Sequence, residues 1–179
     1  MRLGAKALGN DVFHAHHKPM SIVKNTGDSG IASEIALDRR ATYRHLHRDI
    51  IRFADLDPNH HLNNVKFFEF CQESRVAMFR EIGAHDGQDG RAWMIVNLSI
   101  DFKNQVHWPA EMETGTVVLR LGNSSARLGQ GLFNEGRCVA TADMTMVRVD
   151  QQTNRPVPIE DALRQKLGAY AGPAGQAIQ

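Results

Sequence analysis

Long apolar runs are missing from this chain of 179 residues. No stretch approaches the ~18 consecutive apolar residues that a membrane-crossing helix requires. The amino end carries positive charge without the apolar stretch of a secretory signal, so no membrane association is expected. Cysteine is scarce as well, with only Cys71 and Cys138. Two such residues make no disulfide framework, and their spacing is not that of a metal site. Both sit in apolar stretches, where a free thiol behaves as a small hydrophobe, and a reducing cytoplasmic setting fits them. Neither sign of charge is in excess: 21 Lys and Arg face 20 Asp and Glu, a net charge of +1. With the arginines scattered, nothing marks a nucleic-acid or membrane surface. Internal repeats and low-complexity tracts are absent too.

What is present is an ordinary globular composition, 42% hydrophobic and 23% charged, at a length that suits one domain. Residues 1–42 mix Gly, Asn, Asp, Ser and His without a steady period and are expected to form a weakly ordered extension. Met20 offers a second start within it. The packed domain is expected over residues 43–170, with 171–179 as a flexible tail. His14, His16 and His17, or His45, His47, His60 and His61, invite a metal reading. Neither group has the acidic or Cys partner that would complete a ligand set, so no metal is expected.

Periodicity places the elements. Tyr43 to Phe53 suits a strand. Ala54 to Asn64 is rich in turn and cap formers, and Pro58 forces Asp57 into extended or turn geometry. Asn63 is the N-cap candidate for a helix over residues 64–82, stopped by Gly83. Val65, Phe68, Cys71, Phe79 and Ile82 recur there at helical spacing, widened by Phe67, Phe70 and Ala77, which predicts a helix largely surrounded by other structure. Beyond it Met94, Val96, Leu98, Ile100 and Phe102 alternate as one face of a half-buried strand. Val117, Leu119 and Leu121 repeat that pattern. Ser125 to Phe133 forms a weaker strand whose Gly129 and Gly131 mark bends or close packing. Cys138, Ala140, Ala142, Met144 and Met146 make a small-residue face that would let a helix lie close. Pro156 and Pro158 end the sheet, and Ile159 to Leu167 closes with a short helix. Periodicity alone gives an α+β class.

The strand-to-helix junction carries the chemistry. The first amides of a helix have no partner inside it and bear partial positive charge. Such a donor can hold a carbonyl oxygen as it becomes an oxyanion. A carboxylate beside the same carbonyl can act as general base on water or attack directly. Asp57 stands just upstream of this helix. An Asp in that position is more often a cap or turn former.

The run Arg52-Phe53-Ala54-Asp55-Leu56-Asp57, then His61-Leu62-Asn63-Asn64, Phe67-Phe68 and Glu73-Ser74-Arg75, resembles the signature of the 4-hydroxybenzoyl-CoA thioesterase family. Leu98-Ser99-Ile100-Asp101-Phe102, Gly122-Asn123-Ser124-Ser125 and Arg155-Pro156-Val157-Pro158 extend the likeness over roughly residues 43–168. The resemblance implies a hot-dog fold, in which a curved antiparallel sheet wraps one long helix. It implies hydrolysis of an acyl-CoA without any cofactor beyond the coenzyme A of the substrate. Asp57 then matches the catalytic carboxylate, and Asn64 falls where a backbone amide polarises the thioester. His61 and Asn63 match the helix start and shape the turn. The family usually has Gly where this chain has His60, so His60 either alters the turn or lines the acyl pocket. Phe67 and Phe68 are candidates for lining that pocket. Lys103, Arg120 and Arg127 are candidates for the phosphates of CoA. A homodimer or homotetramer with sites between subunits is implied.

Two rival readings accompany it. Asp55-Leu56-Asp57-Pro58-Asn59-His60 also resembles the motif of hot-dog enoyl-CoA hydratases, with Asp55 and His60 as the acid/base pair. A non-catalytic acyl-CoA binding module shares the fold, but lacks the carboxylate that Asp57 supplies here.

Overall fold

The computed structural model describes residues 35–84 and 89–172. Strand β1 (His45–Ile51) is followed by helix α1 (Asn64–Glu81), then by strands β2 (Arg91–Phe102), β3 (Ala110–Leu121), β4 (Ser125–Asn134) and β5 (Arg137–Asp150), and by helix α2 (Asp161–Gly168). The strands form one five-stranded sheet in the order β1-β3-β4-β5-β2. Every neighbouring pair runs antiparallel. This is the α+β, hot-dog arrangement that the sequence implies. No helix among the described residues is long and apolar enough to cross a membrane. The expectations for residues 1–34, including the Met20 start and the His14 cluster, and for the tail over 173–179 lie outside the described residues. Ala171 itself is packed: it is buried and bridges Val118 of β3.

α1 begins where expected because Asn63 caps it, its side chain accepting from the Val65 N–H at 3.0 Å. Gly83 ends it with φ +67, a conformation glycine adopts at little cost. The helix buries Phe67, Phe70, Cys71, Ser74, Arg75, Met78 and Phe79. It is not surrounded on all sides: Val65 is 62% exposed and Phe68 41%. The helix lies closest to β1, β3 and β4 and not to the small-residue face of β5. From that face Ala140 and Ala142 share a buried cluster with Cys71, and Met144 and Met146 share one with Met78 and Phe79.

Bulges alter two of the expected faces, and an edge position alters a third. At the Leu132/Phe133 irregularity Ala140 pairs with Leu132 but Cys138 pairs with Phe133. Val139 is thus the extra residue, and Cys138 turns to the outer side of the sheet. In β3 the irregularity between Val118 and Arg120 leaves Val117 and Leu119 on the outer side and brings Leu121 to the helix side. β2 is not half-buried. As an edge strand lying beyond the helix, it leaves Met94, Ile95, Val96 and Phe102 exposed.

The outer side of the sheet has its own cover. Ile35, Leu37 and Tyr43 pack with Leu46, Val117, Leu119, Phe133 and Cys138. A Cβ on Gly115 would fall inside the Tyr43 ring, and one on Gly129 or Gly131 would meet Leu37. The close packing expected at Gly129 and Gly131 is therefore the seat of this segment. The chain is already packed from Ile35, upstream of the expected domain start at Tyr43.

Candidate active site

Between β1 and α1 the chain makes a turn held by its own backbone. Leu56 and Leu62 form an isolated bridge. The Asp57 N–H donates to the His61 carbonyl at 2.8 Å, and the His60 N–H to the Asp57 carbonyl at 3.0 Å. The Asp57 side chain closes the same turn: its Oδ1 accepts from the Asn59 N–H at 2.8 Å and the His61 N–H at 3.1 Å. The His61 amide, then that of Asn59, holds the Asp57 carboxyl below its ordinary pKa against a smaller opposing effect of desolvation. The group is therefore ionised at neutral pH. Both backbone donors fall on Oδ1, which leaves Oδ2 without a backbone partner, while the Asn59 side chain also helps to lower the pKa.

The turn is anchored to the sheet and the helix. The Leu62 N–H donates to Val106 and the Asn63 N–H to Asp55, both at 2.9 Å. Asn63 uses its side chain on Val65, so the first helical amide, that of Asn64, has no partner among the described residues. Asp57 and Asn64 line one cavity of about 290 Å³, together with His61, Leu62, Phe67, Phe102, Lys103, Asn104, Gln105 and Val106. Its apolar wall is fixed by Phe67, whose ring stands edge-on to Phe102 with centroids 5.1 Å apart. The ring of His61 stands edge-on to His107, with centroids at 4.8 Å. An ionised carboxylate oxygen and an unpaired helix amide thus face the same space, one negative and one positive.

Of the residues singled out in the sequence, the structure brings Asp57, Asn64, His61, Phe67 and Lys103 to this cavity. The others lie elsewhere. Asn63 is the cap. Phe68 points to solvent, because it lies on the side of α1 that no strand covers. His60 does not line the cavity; it is exposed and holds φ 61, the left-handed conformation that explains why glycine suits this position. Arg127 is paired with Asp143, its Nη2 2.6 Å from Oδ2. Arg120 faces Arg127 across the β3–β4 pair, some ten residues of strand from the Ala110 end near the site. At ~3.3 Å per residue that is roughly 30 Å.

The structure adds residues that the sequence did not mark. Asn104, Gln105 and Val106 follow β2 and close one wall. Arg137, at the β4–β5 hairpin, donates through its guanidinium to Asn104 Oδ1, which brings a second cation to the rim beside Lys103. Among the described residues no group of three or more His, Cys, Asp and Glu is placed to hold a metal.

The hydratase pair is not assembled. Asp55 is buried, with Oδ2 accepting from the Arg52 N–H at 2.8 Å and Oδ1 3.1 Å from Lys66 Nζ. Burial alone would raise its pKa, but the Arg52 amide and the Lys66 ammonium outweigh it and hold the group ionised. Both of its oxygens are engaged in fixing the turn, and His60 faces away into solvent.

A family model described as the thioesterase-like superfamily matches residues 51–167. The chain belongs to this superfamily. The thioesterase-like member described here is therefore a thioester hydrolase by class, and its matched region runs from the end of β1 to the last turn of α2. It is similar to the long-chain acyl-CoA thioesterase FadM of Escherichia coli (strain K12), 29% identical over 125 residues that cover 65% of this chain and 92% of that protein. Among solved structures it resembles the PA5185 protein of Pseudomonas aeruginosa strain PAO1, with 33% identity, a TM-score of 0.69, and coverage of 76% of this chain and 97% of that one. The PA2801 protein of Pseudomonas aeruginosa follows at 25% identity and a TM-score of 0.64, covering 68% and 95%. The match supports the superfamily and is broader than the 4-hydroxybenzoyl-CoA family that the motif resembles.

Proposed function

We propose that this thioesterase-like protein hydrolyses an acyl-CoA at the Asp57–Asn64 cavity. The observation that carries the reading is that an ionised Asp57 oxygen without a backbone partner and a free Asn64 N–H line the same cavity. The thioester carbonyl oxygen rests on the Asn64 N–H, whose hold on it strengthens as the carbonyl becomes an oxyanion. Asp57 takes a proton from water as the water oxygen attacks the carbonyl carbon. The C–S bond then breaks, and the leaving thiolate recovers the proton from Asp57. The alternative course, attack by Asp57 itself, gives a mixed anhydride that water opens. Label found in the Asp57 carboxylate after a single turnover in ¹⁸O-water marks direct attack with opening at the Asp57 carbonyl, and trapping of the anhydride with hydroxylamine detects the course in which water opens the acyl carbonyl.

Lys103 and Arg137 form the cationic rim that suits the phosphates of CoA, and the Phe67–Phe102 wall suits the acyl group. The likeness to FadM supports coenzyme A as the carrier. The chemistry asks for no group beyond water, a carboxylate and an amide. The unpaired Cys71 and Cys138 fit a cytosolic protein.

The test is a panel of aromatic, short, branched and long acyl-CoAs, including 4-hydroxybenzoyl-CoA, assayed by thiol release. Asp57→Asn should lower kcat about 10²–10⁴-fold, the usual contribution of a positioned base. If no member of the panel yields thiol with the wild type, the acyl-CoA reading fails. If the variant keeps its rate, the site assignment fails.

A further inference from the structure

The core under α1 is not continuous. One apolar cluster gathers Phe67, Phe70, Cys71, Leu132 and Ala142 at the site end. Another gathers Met78, Phe79, Leu128 and Met144 at the far end. Between Leu128 and Leu132 on the helix-facing side of β4 stands Gln130, with no exposed surface. Its Nε2 donates to the Cys71 carbonyl and to Thr116 Oγ1, each at 2.8 Å. Thr116 Oγ1 lies 2.8 Å from Ser74 Oγ, and Ser74 Oγ donates to the Thr114 carbonyl at 3.0 Å. Proton counting fixes the direction of this chain. The Ser74 proton goes to Thr114, so the Thr116 hydroxyl donates to Ser74, and both amide protons of Gln130 are used. Turning the Gln130 amide over would set its oxygen against the Cys71 carbonyl.

The arrangement is not a stabilising one in full. Gln130 Oε1 is buried without a partner, a situation that costs stability. An apolar residue of the same length would avoid that cost and join the two clusters. It would also remove the hydrogen bond that ties the helix backbone to the sheet here and leave Ser74 as the neighbouring directional contact, which matters because apolar surfaces tolerate small sliding where hydrogen bonds do not.

We infer that Gln130 is a positioning residue: with Thr116 and Ser74 it sets the axial position of α1 on the sheet and thereby aims the Asn64 N–H at the substrate carbonyl. Cys71 lies seven residues along the helix from Asn64, about 10 Å by the helical rise, so a shift at one is passed rigidly to the other. A displacement near 1 Å at the reacting groups lowers rate about 10²-fold. The inference rests on the acyl-CoA hydrolysis reading for its kinetic consequence.

The test compares Gln130→Met, Thr116→Val and Thr116→Ser in the full chain, using the best acyl-CoA of the panel. For Gln130→Met and Thr116→Val we expect kcat to fall tenfold or more, KM to stay within about threefold, and Gln130→Met to keep or raise the wild-type melting temperature. Thr116→Ser, which keeps the hydroxyl, should retain most of kcat. The Asn64 and Val65 amide resonances should shift in the first two variants and not in the third. Folded Gln130→Met and Thr116→Val proteins with wild-type kcat overturn the positioning role while leaving the hydrolase reading intact. If the wild type hydrolyses no acyl-CoA, the hydrolase reading falls separately, and unmoved Asn64 and Val65 resonances then overturn the positioning role on their own.

Discussion

At the scale of single residues, Asp57 and His60 show how one turn serves two demands. Two backbone amides hold the Asp57 carboxyl below its ordinary pKa. Its working form is the anion, so activity should persist as pH falls to the ordinary carboxylate range and be lost only below it. A pH profile of kcat/KM checks this; an acid limb near 6 would contradict it. His60 carries the left-handed φ of the turn. A side chain there costs about 1–2 kcal/mol, part of which glycine returns as unfolded-chain entropy. His60→Gly should therefore stabilise by roughly 0.5–1 kcal/mol net, read as a shifted denaturation midpoint. KM should be unchanged, since His60 lies off the cavity. Much of the site was legible in sequence because Asp57, His61, Asn64 and Phe67 fall within eleven consecutive residues, where cap and turn rules apply. Arg137 was not, because only the register of β2 and β5 brings it to Asn104. A cation on a strand says nothing about which end of the sheet holds the site, and this misplaced Arg120 and Arg127.

At the scale of elements, α1 and the strands were readable from periodicity, although the helix lies closest to β1, β3 and β4 and not to the small-residue face of β5. The bulges were not, since one inserted residue, such as Val139, reverses every face beyond it. The cover formed by Ile35, Leu37 and Tyr43 was equally hidden. Its seat is a set of glycines on β3 and β4 that become a groove only once those strands pair. Arg40 adds a solvent-facing contact, its Nε 2.6 Å from Glu113 on β3, but the fit of Tyr43 over Gly115 is the main lock. Gly115→Ala should force the ring away and lower stability by about 1–3 kcal/mol, the usual cost of overpacking. Chemical denaturation measures it; an unchanged midpoint would show that the Tyr43 ring moves aside freely.

At the scale of the whole molecule, the uncovered edge matters most. β2 ends the sheet with Met94, Ile95 and Val96 exposed, and α1 presents Val65 and Phe68 to the same solvent. A long apolar edge strand is a template for pairing with another chain. The implied homodimer would cover it with a second copy. Ile95→Lys, which places a charge on that edge, should halve the particle mass seen by light scattering and reduce turnover together. A wild-type protein that scatters as a single chain, or a variant that dissociates with full activity, would remove the oligomer from the account of the site.

The outer cover also makes the molecule its own reporter. Burial pushes the Cys71 thiol up to about 12, and burial likewise raises that of Cys138. Neither thiol should compete with released coenzyme for a colorimetric reagent, so the assay reads product and not protein. Cys138 sits beneath Leu37 and Tyr43, whereas Cys71 sits beneath the helix. Slow labelling of Cys138 with Cys71 still silent would thus clock the lifting of residues 35–43 in the unmodified protein, with no probe added.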